Sequence, residues 1–317
     1  MDIFSHMVFG ALMYILFLRN VTYDYFFIAV FFVMLPDFDI FLAPLRRKFK
    51  SNYLSHRAGS HSYVIGICAS FIFSLIYAPL ANKSFFITWI IGSIFYGIHV
   101  SQDLLTTTKI PYLFPLSKKE KSFYVEKAGS LFTWVNSFIL LILSLIFFIL
   151  SVNIIFYVLL VNFYTIFFLV YYLYRIISKI IVNAQLDENQ KYFPGVLPFY
   201  YYVLSREIEN NKISLKLVKK AHFKKAKEIL KREVILNPEE LKLFDKADKI
   251  CKNDYYFAKW TTIPSFIHEN GLFTIKMFFV EILNSNKALY IRYDFDVKSQ
   301  QLISISQKRG SIQNGQF

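Results

Sequence analysis

Cysteine is nearly absent from the 317 residues, with Cys68 inside an apolar run and Cys251 in a polar tail. Two thiols in such different settings exclude a disulfide framework and a cysteine-type zinc site. No Gly-rich dinucleotide turn, Walker-type glycine loop or Ser-His-Asp nucleophile elbow occurs, which removes nucleotide-phosphate cradles and serine-hydrolase chemistry. The start, Met1-Asp2-Ile3-Phe4-Ser5-His6, lacks the positive charge and small-residue cleavage pattern of a secretory leader, so no cleaved targeting peptide is expected. Internal repeats are also missing. Histidine is scarce, six in all, yet four of the six precede residue 100.

What is abundant is apolar surface. Hydrophobic residues make up 55% of the chain and mean hydropathy is +0.40, above the ordinary range of soluble domains. The long apolar runs are confined to the first 182 residues, and the rest is a mixed, lysine-rich sequence. Two parts are expected: a polytopic all-α membrane domain over 1–182 and a soluble α+β domain over 183–317. Six apolar segments are long enough to be candidate spans, at about 7–18, 24–42, 62–80, 85–104, 131–150 and 153–175. The first is short and fits a partial or tilted span.

If all six cross, the intervening loops fall on two faces. Loops 43–61 and 105–130 carry ten basic residues, whereas the short loops on the other face carry Arg19 and Lys83 alone. That asymmetry assigns the first face, and the tail with its share of the +14 net charge, to the cytoplasm. The same count puts His6, Asp37, Asp39, His56, His61, His99 and Asp103 at cytoplasmic ends, although none of them entered it. A single polar site on one membrane face follows.

The spacing of these residues carries chemistry. His99 and Asp103 lie four apart, on one helical face, where they can grip one ion or simply pair with each other. Inside a span an ionisable pair is costly and usually functional. In Leu35-Pro36-Asp37-Phe38-Asp39 the proline breaks the preceding helix, and an extended segment would aim both carboxylates into one cavity; a solvated acidic helix end is the plainer reading. His56 and His61 bracket Arg57 in Ser55-His56-Arg57-Ala58-Gly59-Ser60-His61-Ser62. Alone, this stretch reads as a basic loop at the lipid headgroups. Together with His6, the two aspartates and the His99/Asp103 pair it gives a mixed nitrogen and oxygen donor set suited to zinc, with manganese or iron as alternatives. Such an ion lowers the pKa of bound water and polarises a phosphoryl or acyl oxygen, which points to hydrolysis.

These motifs, over about residues 1–145, resemble the YdjM-like membrane-bound metal-dependent hydrolase family, known from LexA-regulated inner-membrane proteins. The family pattern is matched by Ser5-His6-x-x-x-Gly10, Pro36-Asp37-Phe38-Asp39, His56-Arg57-Ala58-Gly59-Ser60-His61-Ser62 and His99-x-x-x-Asp103, leading through Thr106, Lys109, Pro111 and Pro115. Departures are Ser5 and Ser60 for threonine, Ala58 for glycine and Lys109 for glycine; none removes a ligand, though Lys109 questions the shape of its loop. The resemblance implies an inner-membrane hydrolase, distantly like zinc-dependent phospholipase C in its His-x-x-x-Asp usage, acting on a phosphoester or lipid-linked substrate. It also implies a soluble C-terminal domain, which a longer branch of the family carries. On this reading His6, Asp37, His61, His99 and Asp103 hold one or more divalent ions. Asp39 orients a ligand or activates water, Arg57 binds an anionic substrate such as a phospholipid, and His56 is a ligand or proton carrier.

In the tail, 184–210 reads as an extended lead from the membrane. Leu215, Val218, His222, Ala226 and Ile229 recur at helical spacing with lysines on the other face, the mark of a solvated helix or of one docked on anionic lipid, with nucleic acid a minor alternative. A second helix is expected from Asn237-Pro238-Glu239-Glu240, then strands at 254–261, 272–283 and 288–306. The rival to an enzyme is a non-catalytic membrane protein with a structural metal and a basic lipid- or partner-binding tail. Transport would need polar residues through the bilayer, and here they stop at one face.

Overall fold

The computed structural model describes residues 2–18, 23–49, 57–209, 211–221, 224–253, 260–269, 271–284 and 286–312. The chain forms two compact units, 1–177 and 178–317, dividing within a long helix. The first unit consists of α1 (Ile3–Leu18), α2 (Tyr23–Met34) with a 3-10 extension (Leu35–Leu42), α3 (Ala43–Phe49), α4 (Tyr63–Leu80), α5 (Phe85–Leu105), α6 (Leu131–Ile149) and α7 (Ile154–Asn183), the last running into the second unit. Five of these stretches are long and apolar enough to cross a membrane, and α1 is a shorter apolar helix. Their faces are apolar all round, as lipid-exposed helices require.

Small polar residues mark the helix starts. Asp2 accepts from the Ser5 N–H and hydroxyl, and Ser62 accepts from the Val64 N–H at 3.2 Å. Helix α1 lies between two cores. One joins it to α2 and α5 through Tyr14, Ile28, Phe32, Phe95 and Val100. The other joins it to α6 and α7 through Val8, Leu12, Leu140, Phe168 and Tyr172. Gly66 lets α4 approach α5, because a methyl group there would overlap the Tyr96 ring.

Two local expectations change. Loop 43–61 begins as a helix, α3, because Pro44 is favourable in a first turn and helix formers follow it. Residues 35–42 are a 3-10 helix and not an extended segment, and Asp37 and Asp39 still both reach the His61 ring, one at each nitrogen.

The second unit holds two antiparallel four-stranded meanders and one helix: β1 (Gln190–Pro194), β2 (Tyr200–Glu209), β3 (Lys212–Ala221) and β4 (Lys224–Ile235), then α8 (Pro238–Asn253), then β5 (Thr262–Glu269), β6 (Leu272–Phe279), β7 (Lys287–Asp296) and β8 (Leu302–Ser311). The basic helix expected over 215–229 is instead strands β3 and β4. Ile213, Leu215 and Leu217 are buried in alternation with Ser214, Lys216 and Val218, a period of two that the helical spacing from Leu215 masked. The expected extended lead contains β1 and β2, paired with each other. Helix α8 begins as its sequence implies: Asn237 Oδ1 accepts from the Glu239 and Glu240 N–H groups, and Glu240 accepts from the Asn237 N–H at 2.9 Å. The strand expected over 272–283 is β6 at its start, and the one expected over 288–306 is two strands, β7 and β8, paired antiparallel. Residues 254–259, part of an expected strand, and His222 lie outside the described residues. His268 is half exposed and pairs with Glu240 at 3.0 Å.

Candidate metal centre

Four side chains from two helix ends and one turn converge. Asp37 comes from the 3-10 helix after α2, His61 from the turn before α4, and His99 and Asp103 from the last turns of α5. All four are buried, and one donor atom from each lies within 4.8 Å of the other three. His61 Nε2 is 3.2 Å from His99 Nε2, 3.5 Å from Asp37 Oδ1 and 3.2 Å from Asp103 Oδ2. His99 Nε2 is 3.8 Å from each of the same two carboxylates. Donors around a tetrahedral ion with bonds of about 2.0–2.2 Å stand roughly 3.3–3.6 Å apart, so the residues present fit a divalent metal.

The far nitrogen of each ligand ring explains the aim of the near one. His99 Nδ1 lies 2.7 Å from the Val33 carbonyl, which only accepts, so that nitrogen carries the proton and Nε2 carries the lone pair. His61 Nδ1 is 3.1 Å from Ser60 Oγ, which accepts there because its own proton goes to Asp39, and 3.4 Å from Asp39 Oδ2. Without a metal, a proton takes the central place: burial disfavours charge on His61, but Asp103, Asp37 and Asp39 outweigh it and push its pKa up to about 10. Such a proton on Nε2 points at the His99 lone pair. A metal would replace it.

Asp39 stands behind His61. Its Oδ2 accepts from the Ser60 hydroxyl at 2.6 Å and the Arg57 N–H at 3.0 Å, which fixes the carboxylate behind the His61 imidazole. Arg57 adopts a left-handed backbone, φ +60°, and its guanidinium reaches Thr108 Oγ1 at 2.8 Å and Asp103 Oδ2 at 3.4 Å. Tyr96 donates to the Ser60 carbonyl and holds the turn from the α5 side. His6 stands just outside the four: its ring stacks on His99 with centroids 3.8 Å apart, and its Nε2 faces Asp103 Oδ1 at 3.4 Å. His56 lies outside the described residues. Lys109 does not take a left-handed backbone, so the departure from glycine there introduces no strain.

Sequence reasoning gave no role to Ser60, Thr108 or Gln102. Ser60 and Gln102 sit beside His61 and Asp103 within the quoted motifs, and adjacency was their only signal. Thr108 is brought in by the loop after α5, whose path no local pattern discloses.

No curated protein and no solved structure matches the chain. Residues 1–179 match the family model described as YdjM inner membrane protein. That match spans more than half of the chain, and the protein belongs to the YdjM inner membrane protein family.

Proposed function

We propose that this protein is a membrane-bound, metal-dependent hydrolase acting on a phosphoester or lipid-linked substrate at the cytoplasmic face. The observation that carries the reading is the convergence of two imidazole lone pairs and two carboxylates in a buried pocket, with an arginine beside them. Asp37, His61, His99 and Asp103 would hold the ion, which supplies Lewis-acid polarisation and an activated water when bound. Asp39 keeps His61 in the tautomer that presents Nε2. Arg57, held beside the group by Thr108 and Asp103, supplies the positive charge that would attract an anionic oxygen. Zinc, manganese and iron all accept this donor set.

A second reading has its own support. Four protein donors close a tetrahedral ion, which is the habit of structural zinc, whereas hydrolysis needs a further position for water. A five- or six-coordinate ion meets that need with the same four residues. Metal analysis of the purified full-length protein, wild type and His99→Ala, with a phosphoester panel separates the readings. Bound metal and metal-dependent turnover lost together in the variant support the enzyme. Metal without turnover favours the structural role, and wild-type protein free of metal refutes both.

A further inference from the structure

His6 is the one residue of the expected ligand set that stands outside the four-donor group, and its surroundings give it a different task. The ring is fully buried and cannot swing, because it stacks on His99 with an interplanar angle of 22°. Its Nδ1 meets the Gln102 side-chain amide at 2.5 Å, and its Nε2 meets Asp103 Oδ1 at 3.4 Å. Gln102 is itself buried. Asp103 divides its oxygens: Oδ1 faces His6, while Oδ2 faces His61, His99 and Arg57.

The direction of the Gln102 amide decides what His6 does. With the amide oxygen toward the ring, Nδ1 must carry the proton, so the lone pair on Nε2 opposes a carboxylate oxygen. Both His6 Nε2 and Gln102 Nε2 are then buried without a hydrogen bond. Turning the amide by half a rotation reverses every polarity. The NH2 group donates to Nδ1, the ring proton moves to Nε2, and Nε2–H donates to Asp103 Oδ1. The two unmatched nitrogens are matched with no change of charge, leaving a carbonyl oxygen, which is more often tolerated without a partner than an N–H.

We propose that Gln102 and His6 form a support chain behind Asp103: Gln102 sets the His6 tautomer, His6 holds Oδ1, and Oδ2 is thereby turned into the metal-binding group. Both are positioning residues and neither is a ligand. The inference rests on the metal-centre reading and adds to it, since ligating carboxylates need fixing as much as ligating imidazoles do.

Cobalt(II) titration of the full-length protein in lipid nanodiscs tests it, read by affinity and by the visible bands that report the donor set. His6→Phe keeps the stacked ring and removes both nitrogens, and Gln102→Met removes the amide at similar volume. Each is expected to weaken cobalt binding about 10–100-fold while leaving the band positions of the wild type, because all four donors remain. The double variant is expected to be no weaker than the weaker single one, as for two links of one chain. Gln102→Glu, whose carboxylate accepts but does not donate, is expected to be as weak as Gln102→Met. Altered bands in His6→Phe would make His6 a ligand and overturn the proposal, as would wild-type affinity in Gln102→Met or Gln102→Glu. Wild-type protein that binds no cobalt would instead remove the metal centre itself.

Discussion

Arg57 occupies a backbone conformation that costs an L side chain about 1–2 kcal/mol and glycine almost nothing. The fold accepts that cost at the position where the main-chain N–H must reach Asp39 while the side chain turns back to Thr108 and Asp103. Glycine and alanine both delete the guanidinium, so comparing them isolates the backbone. Arg57→Gly is expected to be more stable than Arg57→Ala by about 1 kcal/mol in thermal unfolding, with both losing substrate turnover alike. At His61 the raised pKa sets a pH dependence. The metal-free protein keeps a proton there below about pH 10, whereas the same ring in an unfolded chain loses it near pH 6.5. The stabilisation from that proton is present below pH 6.5 and disappears as pH rises through 10. A metal must expel the proton, so across that window metal affinity is expected to rise about tenfold per pH unit, with one proton released per ion. Titrations in buffers of different ionisation enthalpy measure the release directly.

At the scale of elements, the loop after α5 is tied to α7 by a second buried group. Glu126 accepts from the Tyr171 hydroxyl at 2.5 Å and pairs with Arg175 at 3.0 Å, with both charged side chains almost wholly enclosed. Removing one member strands the other, so Arg175→Met is expected to cost about 3–5 kcal/mol in unfolding of the solubilised protein. The double change with Glu126→Gln should recover much of it. This pair was not legible in the sequence: Arg175 reads as the basic end of a span and Glu126 as a loop acid, and only tertiary folding makes them partners. The spans themselves were legible, because length and apolarity suffice for a helix in lipid. The convergence of Asp37, His61, His99 and Asp103 was legible for a related reason, since ionisable residues at span ends have few places to go. Strands β3 and β4 were misread because an alternating lysine pattern on a half-buried sheet also satisfies a helical count. The side chains that orient ligands, Ser60 and Gln102, carry no spacing signature of their own.

For the molecule as a whole, charge gives a prediction about orientation. The loop carrying Lys118, Lys119 and Lys121 is expected on the cytoplasmic side, and the Lys83 turn on the opposite one. In a chain freed of Cys68 and Cys251, single cysteines at 119 and 83 should be modified by an impermeant reagent from opposite sides of sealed vesicles. Labelling of both from one side would reverse or break the assignment. The position of α1 between two cores has a consequence for how the protein is made. At 16 residues it reaches about 24 Å, short of the hydrocarbon thickness, and it brings a buried histidine with it. Its partners on α6 and α7 leave the ribosome more than a hundred residues later. Helix α1 is therefore fully enclosed only after α6 and α7 have followed it, and a nascent chain halted before residue 131 would hold every member of the four-donor group yet lack one wall of its own scaffold.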